Sequence, residues 1–224
     1  RGDIDIESLI KEETNVVTLT HFGYVKRIAA DVYRSQKRGG KGLTAMNTRE
    51  EDFVEQLFVT STHDYIMFFT NTGKAFRLKA YELPEASRTS KGTAIVNLLQ
   101  LAQGEKIAAV IPVKDYSSDL YVLMATKNGL IKKTKLEEYS NIRKTGIQGI
   151  TLKEDDELID VRLTDGSNDI IMVTQSGLSI RFAEEEVRAV GRTSMGVKGI
   201  TLSKDDKVIG MEPIADNKDY ILAI

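Results

Sequence analysis

Four stretches of the chain repeat one alternation of apolar and polar positions. They are residues 16–23 (VVTLTHFG), 66–73 (IMFFTNTG), 122–129 (VLMATKNG) and 170–177 (IIMVTQSG). Each is an apolar run, a Thr, two variable residues and a Gly, and the glycines are separated by 50, 56 and 48 residues. A fixed period of this length marks a repeat architecture in which one supersecondary unit is reused. Runs of four to six residues rich in Val, Ile, Phe, Tyr and Thr are too short for typical helices and read as strands. The Gly then predicts a tight turn, with Asn128-Gly129 read as a type I′ pair because both residues tolerate positive φ. A strand mixing apolar and basic positions follows, as in residues 74–78 (KAFRL). The predicted fold is all-β, a propeller-like array of four-stranded blades with about four complete repeats and the start of a fifth. The repeats run approximately over 16–65, 66–119, 120–169 and 170–217, with a partial unit at 218–224 where an apolar strand opens again. Residues 1–15 carry two basic and five acidic side chains and read as a lead-in from a preceding domain. A few acidic stretches, notably residues 183–190, could form a helical turn.

A second set of in-phase positions carries charge. Four residues beyond each glycine stands a cation, Arg27, Arg77, Lys133 or Arg181, and a further glycine follows at Gly42, Gly92, Gly146 and Gly196. Residues 149–152 (GITL) recur as 199–202 (GITL), each followed by a paired Asp. The whole chain is close to neutral, with 31 basic and 33 acidic residues among 224. The signs are segregated within each period, however. Six cations and one acid lie between Lys26 and Lys41, and acids gather at 50–52, 154–157 and 205–206. Repeats set side by side would merge the basic segments into one track for a polyanion such as duplex DNA. The alternative is that alternating charge simply solvates the loops.

Residues 36–42 (QKRGGKG) combine three cations in five positions with three glycines, a composition that lets successive backbone N–H groups face an anion. A flexible surface turn has the same composition. A nucleotide P-loop does not, because Gly42 stands where Ser or Thr would have to follow Lys41. This heptapeptide resembles the signature box Q-[RK]-R-G-G-[RK]-G of the bacterial gyrase A family at all seven positions, Gln36, Lys37, Arg38, Gly39, Gly40, Lys41 and Gly42. The strand-Thr-x-x-Gly repeat with its trailing cation is similar to that family's C-terminal domain over essentially the whole chain. The resemblance implies a β-pinwheel of about six blades with strands exchanged between neighbours. It further implies that DNA bends around a basic rim so that a holoenzyme of two A and two B subunits introduces negative supercoils with ATP. The box is degenerate in later repeats, at 88–92 (RTSKG) and 192–196 (RTSMG), and shortened at 143–146 (RKTG). The rim contacts expected on this basis are Lys26, Arg27, Arg77, Arg88, Lys91, Lys132, Lys133, Arg143, Lys144, Arg181 and Arg192.

Other functions fare worse. With no cysteine, a disulfide framework and a thiolate metal site are excluded and a reducing, cytoplasmic setting is expected, to which the resemblance adds association with the nucleoid. No apolar stretch reaches the length of a membrane helix. His21 and His63 are the only histidines, and the carboxylate clusters lack a His or Cys partner and read as solvated loops. No catalytic residue, metal or cofactor is therefore expected within the chain itself. The resemblance places the DNA-cleaving Tyr, ATP and Mg²⁺ elsewhere in the type IIA topoisomerase. The corresponding domain of topoisomerase IV, a relative with a degraded box, is the nearest alternative, and the intact box opposes it. A propeller-like protein-interaction scaffold is the alternative from another class, although the Trp-Asp signatures of many such propellers are ruled out by the lack of Trp.

Overall fold

The four Thr-x-x-Gly motifs close four β-hairpins in a computed structural model that describes residues 5–34, 52–117 and 119–215. In chain order the strands are β1 (Thr14–Thr20), β2 (Tyr24–Ala29), β3 (Val54–Ser61), β4 (Tyr65–Thr70), β5 (Lys74–Lys79), β6 (Thr93–Ala94), β7 (Ile107–Val113), β8 (Tyr121–Thr126), β9 (Leu130–Lys135), β10 (Ile147–Gln148), β11 (Leu158–Thr164), β12 (Asp169–Thr174), β13 (Ser179–Ala183), β14 (Val197–Lys198) and β15 (Val208–Ile214). They form four sheets ordered β3-β1-β2-β6, β10-β5-β4-β7, β11-β8-β9-β14 and β13-β12-β15. A single helical turn, Ala30–Arg34, follows β2, and the acidic stretch after β13 makes a short 3-10 turn at Glu184–Glu186.

Each turn owes its shape to the repeated Thr and Gly. The glycine N–H donates to the carbonyl of the Thr three residues earlier, at 2.9 Å for Gly23 and 3.0 Å for Gly73, Gly129 and Gly177. The Thr Oγ1 then accepts the N–H of the residue after the glycine, at 3.1–3.2 Å in all four hairpins. Only the glycine takes positive φ, between 85° and 91°, and Asn128 does not. The turn at 127–129 is therefore a three-residue loop ending in a left-handed glycine rather than the type I′ pair suggested by Asn-Gly.

Carboxylates finish the turns. Asp52 Oδ1 accepts the Phe22 N–H and Asp156 Oδ1 the Asn128 N–H, both at 2.9 Å. Asp206 Oδ1 accepts the Ser176 N–H at 3.0 Å, and Glu105 Oε2 accepts the Thr70 hydroxyl at 2.8 Å. Asp52, Glu105 and Asp156 are buried. The clusters at 50–52, 154–157 and 205–206 are thus more than solvated loops: each sends one Asp to a turn whose N–H group needs an acceptor.

The fourth strand of a sheet comes from farther along the chain. Two-residue strands β6, β10 and β14 pair with β2, β5 and β9 respectively, each crossing into the sheet of a preceding hairpin. An isoleucine lies against the turn glycine at each of these joints. Ile95 N–H donates to the Gly23 carbonyl at 2.8 Å, while Gly149 and Gly199 N–H donate to the Gly73 and Gly129 carbonyls at 2.7 and 2.8 Å. This explains why GITL recurs: the Gly-Ile pair must approach the turn glycine of another hairpin closely. Among the described residues the fourth sheet has three strands.

Contacts divide the chain into two compact units, one holding the first sheet with Arg77–Gln103, the other the third and fourth sheets with Phe68–Phe76 and Gly104–Ile111. In the second unit, Leu123, Ala125 and Ile131 pack with Ile170, Met172, Val208 and Met211, and Ile200 joins the same cluster. Fully burying each large aliphatic side chain of this kind contributes about 1.5–3 kcal/mol. The uninterrupted apolar runs of β4 and β8 follow from burial on both faces.

Candidate nucleic-acid interface

The heptapeptide Gln36, Lys37, Arg38, Gly39, Gly40, Lys41 and Gly42 lies outside the described residues. Its three degenerate counterparts do not. The loops at 88–92, 143–146 and 192–196 each end on a glycine with φ of 89°, 79° and 87°, followed at once by the donated strand. The glycine is required by space as well as by φ. A Cβ on Gly92 would sit 2.5 Å from the Val25 carbonyl oxygen, and one on Gly196 2.5 Å from that of Ile131. Main chain pressed against main chain holds the base of the loop to the sheet of a preceding hairpin.

Arg88 and Lys91 stand on the first of these loops, half-buried, with the Lys91 ammonium 3.7 Å from the centre of the Tyr24 ring. Arg143 and Lys144 are exposed on the second. Arg192 opens the third. Its backbone N–H donates to Glu138 Oε2 at 2.7 Å and its guanidinium to the Gln148 carbonyl. These five side chains are the expected rim cations that the structure places on loops.

Three of the remaining expected contacts, Lys26, Lys132 and Lys133, need correction. Lys26 and Lys132 are buried, at 0% and 1% exposure, and Lys133 at 7%. Lys26 Nζ donates to the carbonyls of Ser87, Arg88 and Ser90 at 3.1, 2.8 and 2.9 Å. Lys132 Nζ donates to Gly149 O at 2.8 Å, Arg192 O at 2.5 Å and Tyr139 Oη at 3.2 Å. Burial lowers the affinity of both amines for a proton, bringing Lys132 down to about 7, with Glu138 opposing the shift and Arg192 adding to it. Lys133 packs 4.8 Å from the Tyr121 ring centre and reaches the Glu184 carbonyl at 3.4 Å. A buried ammonium holding carbonyl oxygens is not a surface contact for a phosphate.

Arg27, Arg77 and Arg181 have in-hairpin partners as well. Arg27 Nε donates to Leu83 O at 2.7 Å and its guanidinium reaches Asn15 Oδ1 at 3.4 Å. Arg77 lies 4.6 Å over the Tyr65 ring, and Arg181 Nε donates to Asp169 Oδ2 at 2.7 Å. In the four hairpins the trailing cation therefore leans diagonally across to one position on the neighbouring strand, Asn15, Tyr65, Tyr121 or Asp169, eight residues before the turn glycine. This part of the cation periodicity serves the sheets. Sequence reasoning misses the tyrosines because no environment distinguishes them in isolation. Their common offset from the glycine is the signal that would find them. Among the described residues no group of three or more His, Asp or Glu side chains is gathered to hold a metal.

Among the described residues, four small antiparallel sheets, three of them completed by a strand borrowed from farther along the chain, define a β-propeller class of domain carrying cationic Gly-terminated loops. A family model for the DNA gyrase C-terminal domain, beta-propeller, matches residues 14–61, 64–114, 120–165 and 168–215, and the chain belongs to that family. The A subunit of DNA gyrase from Clostridium acetobutylicum is 57% identical over 195 residues, 87% of this chain and 24% of the relative. Its counterpart from Staphylococcus epidermidis is 48% identical over 99% of this chain and 25% of the relative. The chain thus spans about a quarter of the length of these relatives. Among solved structures, a topoisomerase IV C-terminal domain matches with a TM-score of 0.79 at 33% identity, covering 92% of this chain and 63% of that one. A DNA gyrase A C-terminal domain matches with 0.70 at 28%, covering 91% and 66%.

Proposed function

We propose that this chain is the non-catalytic DNA-wrapping part of a gyrase A protein, bending duplex DNA so that the holoenzyme of two A and two B subunits introduces negative supercoils. The observation that carries this reading is the recurrence of one loop design at 88–92, 143–146 and 192–196, a cationic segment fixed at its base by a glycine pressed on a neighbouring strand. Arg88, Lys91, Arg143, Lys144 and Arg192 are its phosphate contacts in the described residues, and Lys37, Arg38 and Lys41 of the box complete the set. In this reading ATP and Mg²⁺ act elsewhere in the holoenzyme. Bending 20–30 bp by 40–90° costs on the order of 1–6 kcal/mol, which distributed phosphate contacts offset through counterion release. Base-specific contacts are not needed for such a surface, so binding tolerates any sequence.

Two measurements test it. Closing short linear DNA into circles with a DNA ligase in the presence of the protein is expected to trap writhe of one sign, and circles without trapped writhe would refute wrapping. In the reconstituted holoenzyme, replacing Lys37, Arg38 and Lys41 by Ala is expected to abolish supercoiling while sparing ATP-independent relaxation. Equal loss of both would assign the box to folding or assembly. The higher TM-score to a topoisomerase IV domain favours a second reading, in which the same surface serves that enzyme. Retained full activity after the box replacement would select it.

A further inference from the structure

We propose that Lys26 and Lys132 are positioning residues for DNA binding, each acting from inside the protein to hold the main chain of a cationic loop in its phosphate-binding form. The proposal rests on the reading of those loops as phosphate contacts. The two full-length loops turn carbonyl oxygens of Ser87, Arg88, Ser90 and Arg192 inward, and buried carbonyls need donors. An ammonium supplies three donors at one point. Lys26 places its three on carbonyls at the head of the loop that carries Arg88 and Lys91, and Lys132 places one on the carbonyl of Arg192 itself. The stems act too. A Cβ on Gly92 would lie 3.1 Å from Lys26 Cβ, and one on Gly196 3.0 Å from Lys132 Cβ, so each loop glycine rests on the lysine beneath it.

The second sheet provides an internal control. Its residue at the same place, three beyond the turn glycine, is Phe76, and the loop above it, 143–146, is the shortened one. Gly146 there lies over the Phe76 ring, 2.9 Å from where its Cβ would be. A full-length loop has an ammonium under it and the short loop has an aromatic ring. The lysine is thus present under the two full-length loops and absent under the short one. The neighbours of Lys132 that carry or can carry charge are Glu138, which accepts the Arg192 N–H, Arg192 itself and Tyr139.

The experiment uses the full-length gyrase A protein with a linear duplex as probe, and affinity is measured across a salt series. Lys26→Met is compared with Arg88→Ala/Lys91→Ala and with the triple variant, and Lys132→Met with Arg192→Ala and their double. Lys26→Met is expected to weaken binding on the order of tenfold and to lower the salt slope by about 1–2, as loss of the two loop cations does. In the triple variant it adds nothing further, whereas a general destabilisation would add its full effect. Unchanged affinity and slope in folded Lys26→Met and Lys132→Met, beside weakened loop-cation variants, would overturn the positioning role alone. Loop-cation variants that bind like the wild type would instead overturn the reading of the loops on which it rests. The two lysines lie in separate units, so failure of one variant to fold leaves the other decisive. Failure of both would assign the lysines to folding and overturn the proposal.

Discussion

At the scale of single residues, the repeat is a set of hydrogen-bonding obligations. Thr accepts from the return strand, Gly supplies the left-handed angle, and a distant carboxylate takes the N–H groups or hydroxyls left over. Hydrogen bonds from Ser176 hold Asp206 at about 2, below the ordinary 3.8. Its contribution to stability is therefore complete above about pH 4 and disappears as pH falls through about 2. Asp206→Ala is expected to lower the melting temperature at neutral pH, with the gap to the wild type closing by about pH 2 in a thermal-denaturation series. Lys132 shows the same direction of pH dependence in a higher window. Between about 7 and its ordinary 10.5 the unfolded chain holds a proton that the folded chain has released, so stability relative to Lys132→Met rises with pH through that window. Urea titrations at about pH 6.5 and about pH 9 read the difference directly. The glycines separate strain from crowding. Gly104→Ala meets open space at φ 78° and is expected to cost about 1–2 kcal/mol. Gly196→Ala adds a Cβ 2.5 Å from a carbonyl oxygen and is expected to cost at least about 3 kcal/mol in the same assay.

Among the elements, hairpins and donated strands are unequally legible in the sequence. The hairpins can be read because an apolar run ending in Thr-x-x-Gly carries both a period and a turn residue. The donated strands are two residues long, too short to show alternation, and their partners lie 66 to 74 residues away. Only the repeated GITL hints at them, and it hints at a repeat rather than a pairing. Their anchoring isoleucines bear the energetics. Ile200 is buried within the cluster shared by the third and fourth sheets, and Ile200→Ala is expected to cost about 2–5 kcal/mol by equilibrium unfolding. The exposed Ile6→Ala, by contrast, should stay within about 0.5 kcal/mol.

For the molecule as a whole, charge in phase turns out to have two causes. The positions four beyond each turn glycine are cationic because the hairpin provides a polar or aromatic seat for them at one fixed offset, whereas the partners of the described loop cations differ from loop to loop. Sequence alone merges the two, since both recur at the same period. What separates them is the partner each side chain takes, and partners are a property of the folded chain. Replacing Arg88, Lys91, Arg143, Lys144 and Arg192 together by Ala is expected to reduce the salt slope of DNA binding by about 4–5. Arg77→Met, which removes a cation seated on Tyr65, is expected to leave that slope within about 0.5 and to register as a loss of stability instead. The borrowed strands also bear on how such a chain grows over evolutionary time. Because a sheet is finished by residues from the next period, a tandem duplication of one period, whatever its breakpoints, delivers a new acceptor edge together with the segment that fills the old one. The array can lengthen or shorten by whole periods with every junction inherited ready-made, so blade number is free to drift among descendants while the joint itself stays fixed.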